Sequence, residues 1–327
     1  MTKKPKVIAY SELVQPALDY ISEYCELISF PKLDEETYPR FLRELKDADG
    51  LIGFGLKVDG ELLAKAPNLK VVSNFSVGYD NLELPVLTKR KVMATNTPEV
   101  LNDTVADLMF GLMLAVGRRI TELDQYVKAG QWKQNVTSDQ YSTDIHHKTL
   151  GIIGMGEIGT QIAKRASLGF DMNVLYHNRS RNEEAERMYH AQYCGLDELL
   201  SQSDFVCLMT PLTRETEKMI GEREFGLMKN TAIFVNGSRG RTVDEAALIS
   251  ALEEGEILGA GLDVFENEPV SDDNPLLTMK NVITLPHVGS ATHETRTKMA
   301  MLAAENVVQG VTGQVPSCLL NKELMED

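Results

Sequence analysis

Residues 148–169 constrain this chain more than any other stretch. A short apolar run, Thr149-Leu150-Gly151-Ile152-Ile153, leads straight into Gly154-Met155-Gly156-Glu157-Ile158-Gly159, and Ile158, Ile162, Ala163, Ala166 and Leu168 then recur at roughly helical spacing. The run is β-rich and too short for a helix, so the pattern predicts strand, turn and helix in succession. At such a corner each glycine has a task. Gly154 permits the tight turn, Gly156 lets the backbone approach a pyrophosphate, and Gly159 lets the helix pack closely on the strand. The helix N-terminus adds unpaired N–H groups and the positive end of its dipole. A G-x-G-x-x-G alone is a weak signal, but here the strand before it and the helix after it supply the context it requires. The corner is therefore read as a dinucleotide site.

Around this corner, short apolar runs alternate with helical patterns along the whole chain. Before it, Lys6–Ala9, 51–54, 69–73 and 92–95 read as strands, with helical stretches at 13–24, 38–46 and 82–91. After it, Asn173–His177, 205–209, 232–235, 259–263 and 282–285 read as strands, and 292–311 as a helix. Regular alternation means βαβ units and parallel sheets, so the fold class is α/β with two doubly wound parallel-sheet domains. Only the second sheet carries the glycine fingerprint. Between the two, Asn102-Asp103-Thr104 cap a helix whose apolar positions Val105, Leu108, Met109, Leu112, Val116 and Ile120 continue the period, so one long helix is expected to run to about Gly130. The polar segment 131–148, which holds the sole tryptophan, Trp132, is expected to be a functional or interfacial loop.

Composition narrows the partners. With 33 basic and 48 acidic residues the net charge is −15, a surface that repels phosphate backbones and anionic lipid, so neither nucleic acid nor membrane is an expected partner. Four cysteines lie far apart with no C-x-x-C pair, which argues against a disulfide framework or a zinc site; no metal is expected, and reduced thiols fit a cytoplasmic location. Ser11 and Glu12 end the first apolar run before it forms a signal-peptide core. The most apolar helix, 108–116, is too short to span a bilayer.

In an NAD site an acidic residue normally follows the glycines by about 20 positions and bonds the ribose 2′-OH. Here that position holds Asn178, followed by Arg179-Ser180-Arg181. An acid would repel a 2′-phosphate, whereas arginine attracts one, so NADP is expected in preference to NAD. The remaining strands of the second sheet end in polar segments: Thr210-Pro211, Asn236-Gly237-Ser238-Arg239-Gly240, Asp263 to Pro269, and Pro286-His287-Val288-Gly289-Ser290. Ligands of open parallel sheets bind beyond the carboxyl ends of the strands. Reducing a 2-oxo acid with a nicotinamide requires a cation for the carboxylate, a proton donor for the carbonyl oxygen, and a group to orient that donor. Arg239, His287 and Glu268 are one candidate of each kind. Each also has a plain structural reading, as a solvated loop cation, a turn acid and a satisfied histidine. Their joint occurrence at successive strand ends favours the chemical one. His146, His147, His177, His190 and His293 have no comparable setting. In the first sheet the loop Ser76-Val77-Gly78-Tyr79-Asp80 is a candidate nest of N–H groups for a small anion, against a plain turn that needs Gly78 for its backbone angles.

Gly154-x-Gly156-x-x-Gly159 together with Asn236 to Gly240, Asp263 to Pro269 and Pro286 to Ser290 resembles the D-isomer-specific 2-hydroxyacid dehydrogenases over nearly the whole chain. Ser290 to Arg296 and the Asn-Arg-Ser segment at 178–180 are closest to the glyoxylate/hydroxypyruvate and 2-ketogluconate reductases. The resemblance implies a Rossmann cofactor domain, residues 101–290, inserted in a flavodoxin-like substrate domain, 1–100 plus 291–327, with the active site in the cleft between them. It implies Arg239, Glu268 and His287 as the catalytic set and backbone contacts of Val77 and Gly78 to the substrate carboxylate. It implies cofactor contacts from Thr104, Gly154, Met155, Gly156, Glu157, Ile158, Gly159, Asn178, Arg179, Ser180, Arg181, Thr210, Pro211, Asp263 and Gly289. Ser238 stands where many relatives have another small residue. The family also implies a homodimer built around Trp132. The expected substrate is a small 2-oxo acid: glyoxylate, hydroxypyruvate or 2-keto-D-gluconate. Competing readings are an NADH-linked dehydrogenase for another D-2-hydroxy acid and a nucleotide-sensing corepressor; the complete Arg, Glu and His set favours an enzyme.

Overall fold

The computed structural model describes residues 3–326. They pack as two compact units, one formed by the residues up to Leu101 together with those from Ala291, the other by Asn102–Ser290.

In the first unit, β1 (Lys6–Ala9), β2 (Glu26–Ser29), β3 (Gly50–Gly53), β4 (Val71–Asn74) and β5 (Met93–Thr95) form a parallel sheet in the order β2-β1-β3-β4-β5. Strands β3 and β4 are buried throughout, as continuous apolar runs of a sheet covered on both faces must be. Helices α1 (Gln15–Tyr24), α2 (Tyr38–Leu45), α3 (Gly60–Ala64) and α4 (Leu84–Lys89) connect the strands. One face packs a core of Ile8, Phe41, Leu45, Leu51, Leu63, Val72 and Leu87. The helix His293–Val311 covers the other so closely that a Cβ on Gly50 would lie 2.7 Å from Val311. Strand β2 escapes sequence reading because it is a short edge strand with only Leu27 and Ile28 apolar. Helix α3 rests on Asp59, whose carboxylate accepts the Glu61 and Leu62 amides.

The second unit has seven parallel strands. Strands β6 (Thr149–Ile153), β7 (Asn173–His177), β8 (Gln192–Tyr193), β9 (Phe205–Leu208), β10 (Ile233–Asn236), β11 (Gly259–Leu262) and β12 (Val282–Thr284) run in the order β12-β11-β10-β9-β6-β7-β8. Its helices are α5 (Asn102–Gly117), α6 (Ile120–Lys128), α7 (Glu157–Phe170), α8 (Glu183–Tyr189), α9 (Leu196–Gln202), α10 (Glu222–Leu227) and α11 (Glu245–Glu253), and His293–Val311 is α12. The order reverses at β6, which places the glycine corner at the switch between β9 and β7, where such sheets bind ligands.

The single helix expected from 102 to about 130 is in fact two. Gly117 packs against Ile145 and Phe205, and Arg119 adopts a left-handed φ of 54° that ends α5. That conformation is held by the Arg119 guanidinium, which grips both Glu122 oxygens and donates to the Asp139 and Tyr141 carbonyls. No residue of α6 is buried. No helix among the described residues is long and apolar enough to cross a membrane.

Candidate active site

The glycine corner adopts the form its spacing requires. Gly154 has φ +105°, and a Cβ there would lie 2.7 Å from the Met209 backbone. This close approach seats the corner against the segment that carries Thr210 and Pro211. Around Gly156, by contrast, nothing lies within 4 Å of an added Cβ, so this backbone is open to a ligand. Helix α7 starts there with Gly156 at its N-cap and no side chain capping its first amides, which leaves the N–H groups of its first turn for an anion. Glu157 at the start of that turn accepts a hydrogen bond from Asn102 at 2.9 Å. The residues present thus fit the pyrophosphate of a dinucleotide.

Beyond β7 the loop is tied to the same corner by a residue that sequence reasoning missed. Asn182 caps α8 by accepting the Ala185 amide, and its Nδ2 donates to the Met155 carbonyl at 3.1 Å. Asparagine four positions after Asn178 was readable as a helix cap, though not as a link to the corner. The two arginines of the loop differ. Arg181 is locked to Glu186 through Nε at 2.9 Å and Nη2 at 2.6 Å, and Tyr176 donates to the same carboxylate at 2.6 Å. These bonds hold the Glu186 carboxyl down at about 2. Arg179 is exposed and makes no ion pair among the described residues. The pair expected to share a 2′-phosphate is thereby reduced to one arginine with its fork disengaged.

At the carboxyl ends of β10, β11 and β12 the structure gathers the other candidates. His287 Nδ1 lies 2.8 Å from Glu268 Oε2, and the Phe265 amide donates to Oε1 at 3.1 Å. Burial pushes the Glu268 carboxyl up, but the His287 and Phe265 hydrogen bonds and the charges of His287 and Arg239 outweigh it, so the carboxyl lies below its ordinary range. Glu268 is thus a charged acceptor that fixes the imidazole ring through Nδ1. The loop of Arg239 is folded on itself: Arg239 Nη1 donates to the Ser238 carbonyl at 2.8 Å, and Asn236 and Thr242 donate to the Arg239 carbonyl. A Cβ on Gly240 would overlap the Phe265 backbone, so the Arg239 loop and the Glu268 loop touch main chain to main chain.

Asp263, one of the expected cofactor contacts, braces the loop that carries His287. It is 2 % exposed; Oδ1 accepts the Val288 amide and Oδ2 the Gly289 amide, each at 2.8 Å, while its carbonyl accepts the His287 amide at 2.9 Å. Burial raises its pKa, with the Glu268 charge adding to the rise and the two amides and the His287 charge opposing it. The loop therefore wraps round a buried carboxylate, and His287 is held at φ +54°, a conformation that costs a non-glycine residue about 1–3 kcal/mol. Beside the His287–Glu268 pair lies a cavity of about 430 Å³ lined by Phe265, Val270, Leu277, Leu285 and Pro286.

In the first unit, Val77 and Gly78 lie in the loop after β4. Asn96 donates to the Val77 carbonyl at 2.9 Å and Asn74 to the Gly78 carbonyl at 2.7 Å. Neither amide N–H has an acceptor among the described residues. Gly78 does not have a positive φ, so the plain-turn explanation of this glycine does not hold. Thr104 sits in the first turn of α5. His177 Nδ1 donates to the Cys194 carbonyl at 3.1 Å, and His146 is exposed.

The comparisons with known proteins agree with this architecture. The model of the D-isomer specific 2-hydroxyacid dehydrogenase NAD binding domain matches residues 110–289. This chain belongs to the D-isomer specific 2-hydroxyacid dehydrogenase family. Among its relatives in that family, a glyoxylate/hydroxypyruvate reductase B of Escherichia coli is 47% identical over 323 residues, 99% of this chain and 100% of that protein. Among solved dehydrogenases of similar fold, a glyoxylate reductase from Paecilomyes thermophila superposes with TM-score 0.88 at 31% identity, covering 99% of this chain and 100% of that one. An NADPH-dependent glyoxylate/hydroxypyruvate reductase from Sinorhizobium meliloti, in complex with NADP and malonate, gives TM-score 0.85 at 30% identity over 97% of each chain.

Proposed function

We propose that this dehydrogenase is an NADPH-preferring reductase of small 2-oxo acids, with glyoxylate, hydroxypyruvate and 2-keto-D-gluconate as the candidate substrates. The observation that carries the chemistry is the 2.8 Å contact between His287 and Glu268, in a loop whose amides are held by a buried carboxylate. The cofactor, when bound, supplies the hydride. Gly156 and the first amides of α7 would hold its pyrophosphate, with contributions from Met155, Ile158 and Thr210, and Asn178, Arg179 and Ser180 would receive the ribose end. His287 Nε2 donates the proton to the carbonyl oxygen while Glu268 keeps the ring oriented and balances its charge. Arg239 presents a planar fork to the carboxylate and the oxygen of the 2-oxo group. Val77 and Gly78 offer two N–H groups to the same carboxylate.

The preference for NADPH rests on Asn178 in place of an acid and on Arg179 beside it. The names of the relatives support the same assignment, since one solved neighbour is described as NADPH-dependent. Following cofactor absorbance with each of the three acids, and with NADPH against NADH, tests the proposal. Equal kcat/KM for the two cofactors overturns the cofactor assignment, and no turnover of any of the acids overturns the function.

The same reading includes a homodimer through α6 and the segment after it. Ile120 and Val127, seven residues apart on one side of α6, are about half exposed, and Trp132, Val136 and Tyr141 are 61%, 61% and 67% exposed. Largely exposed aromatic residues of this kind are typical of interface cores. Light scattering at micromolar concentration that returns a mass near 36.3 kDa refutes the dimer.

A further inference from the structure

We infer that Arg296 is a specificity-determining residue that binds the distal acceptor oxygens of 2-oxo acids longer than glyoxylate. The inference rests on the reading in which Val77 and Gly78 hold the substrate carboxylate.

Arg296 lies in the first turn of α12, behind the Thr292 cap. Its guanidinium stands over the Phe75 ring, 5.6 Å from the ring centre. Five other arginines each engage a carboxylate: Arg119, Arg165, Arg181, Arg223 and Arg241. Among the described residues Arg296 has none, although the chain carries 48 acidic against 33 basic residues. It is partly withdrawn from water, and burial alone lowers its pKa, with no neighbouring charge or hydrogen bond acting on it. A desolvated, unpaired cation is unfavourable, and an aromatic face offsets only part of that cost. Guanidinium is a donor-only group of five N–H bonds, so its missing partner is an acceptor oxygen, either hydroxyl or carboxylate.

Its place in the chain sets what that partner belongs to. Phe75 directly follows β4 and precedes Val77 by two residues, and two residues of chain span at most about 7 Å. That is comparable with the length of a five- or six-carbon acid, and longer than glyoxylate. The surroundings suit an oxygen-rich chain. Gly50 meets Val7 of β1 and Val307 and Val311 of α12, so by strand alternation Val7 and Ala9 lie on the face that α12 covers, and Ser11 follows two residues past the end of β1. The Ser11 hydroxyl, shielded from solvent, has no hydrogen-bond partner. Neither has the hydroxyl of Thr97, two residues past Thr95, whose own hydroxyl bonds Ser73 on that same face.

The test compares kcat/KM for 2-keto-D-gluconate and for 2-oxoglutarate, each divided by kcat/KM for glyoxylate on the same preparation. A ratio cancels any loss of folded enzyme. In Arg296→Met at least one ratio should fall tenfold or more, and Arg296→Lys should keep part of it. Loss with 2-keto-D-gluconate assigns hydroxyl oxygens to Arg296, and loss with 2-oxoglutarate assigns a second carboxylate. Both ratios unchanged in Arg296→Met, or a wild type that reduces glyoxylate but neither longer acid, overturns the inference. Failure of the underlying reading shows separately, as a wild type that does not reduce glyoxylate, and the inference falls with it.

Discussion

In the seven-stranded sheet the loop after β12 is held by a carboxylate, whereas in the five-stranded sheet the loop after β4 is held by side-chain amides. The difference sets what each loop presents. A carboxylate only accepts, so Asp263 takes up the N–H groups of Val288 and Gly289, and what is left to face outward is a side chain, His287. An asparagine NH₂ donates, so Asn74 and Asn96 take up the carbonyls of Gly78 and Val77, and what is left is backbone N–H. One loop thus displays a titratable group and the other displays neutral donors. Neither asparagine adds negative charge to the loop where we propose that a carboxylate binds.

The largest effect expected from breaking this comparison comes from the displayed side chain. Removing it in His287→Ala should lower kcat for reduction by about 10²–10⁴-fold, the usual worth of general acid catalysis, with cofactor KM little changed; a loss under tenfold refutes its role. Glu268→Gln should lower kcat less. It also has a signature in stability. Because the folded Glu268 carboxyl lies below its ordinary range, the charged form stabilises the fold above the unfolded value of about 4.3, and that contribution fades as pH falls through the lower folded value. The Tm of wild type should therefore converge on that of Glu268→Gln as pH falls through this acid window.

The brace comes next. Asp263→Asn leaves one acceptor where two amides need one, and the new NH₂ must face an N–H. A buried donor without a partner costs about 1–3 kcal/mol, so Tm should fall and kcat should fall with it as His287 loses its fixed position. Unchanged kcat and Tm in this variant would show that the loop is held by its backbone alone.

A similar contrast separates the two arginines after β7. Arg179→Ala should raise KM for NADPH by roughly ten- to a hundredfold, the worth of a charge-assisted hydrogen bond, and leave NADH nearly unaffected. Arg181→Ala should change NADPH binding much less, because its fork is already spent on Glu186. Equal effects of the two substitutions on NADPH would mean that the Glu186 pair opens when cofactor binds.

Much of this was legible in the sequence, for identifiable reasons. The glycine corner and the Arg239, Glu268 and His287 loops could be read because each depends on residues close in sequence to a strand end. The break between α5 and α6 could not, because Arg119 is held in its left-handed conformation by carbonyls of Asp139 and Tyr141, about twenty residues away in the chain. The same holds for Asp263, whose partners lie 25 and 26 residues on. The engagement of Arg181 was hidden too, since nothing in Arg-Ser-Arg says that the next helix will return Glu186 to it. Local spacing announced the sites, and long-range hydrogen bonds decided which candidate residues were left to act.

The smallest expected effect tests the polarity of the brace directly. Asn96→Ala removes the donor to the Val77 carbonyl and adds nothing, so it should loosen the loop and raise KM for the 2-oxo acid about two- to fivefold with kcat nearly kept. Asn96→Asp removes the same donor, but it also puts a carboxylate beside the loop whose N–H groups we propose bind the substrate carboxylate. Its KM should rise further, by about tenfold, since a like charge near a partly buried site costs about 1 kcal/mol more than simple loss of the donor. The excess should shrink as ionic strength is raised, because it is electrostatic, while the part shared with Asn96→Ala should not. If the two variants behave alike at low salt, the neutral brace after β4 has no electrostatic purpose, and the contrast with Asp263 reduces to a difference in hydrogen-bond geometry.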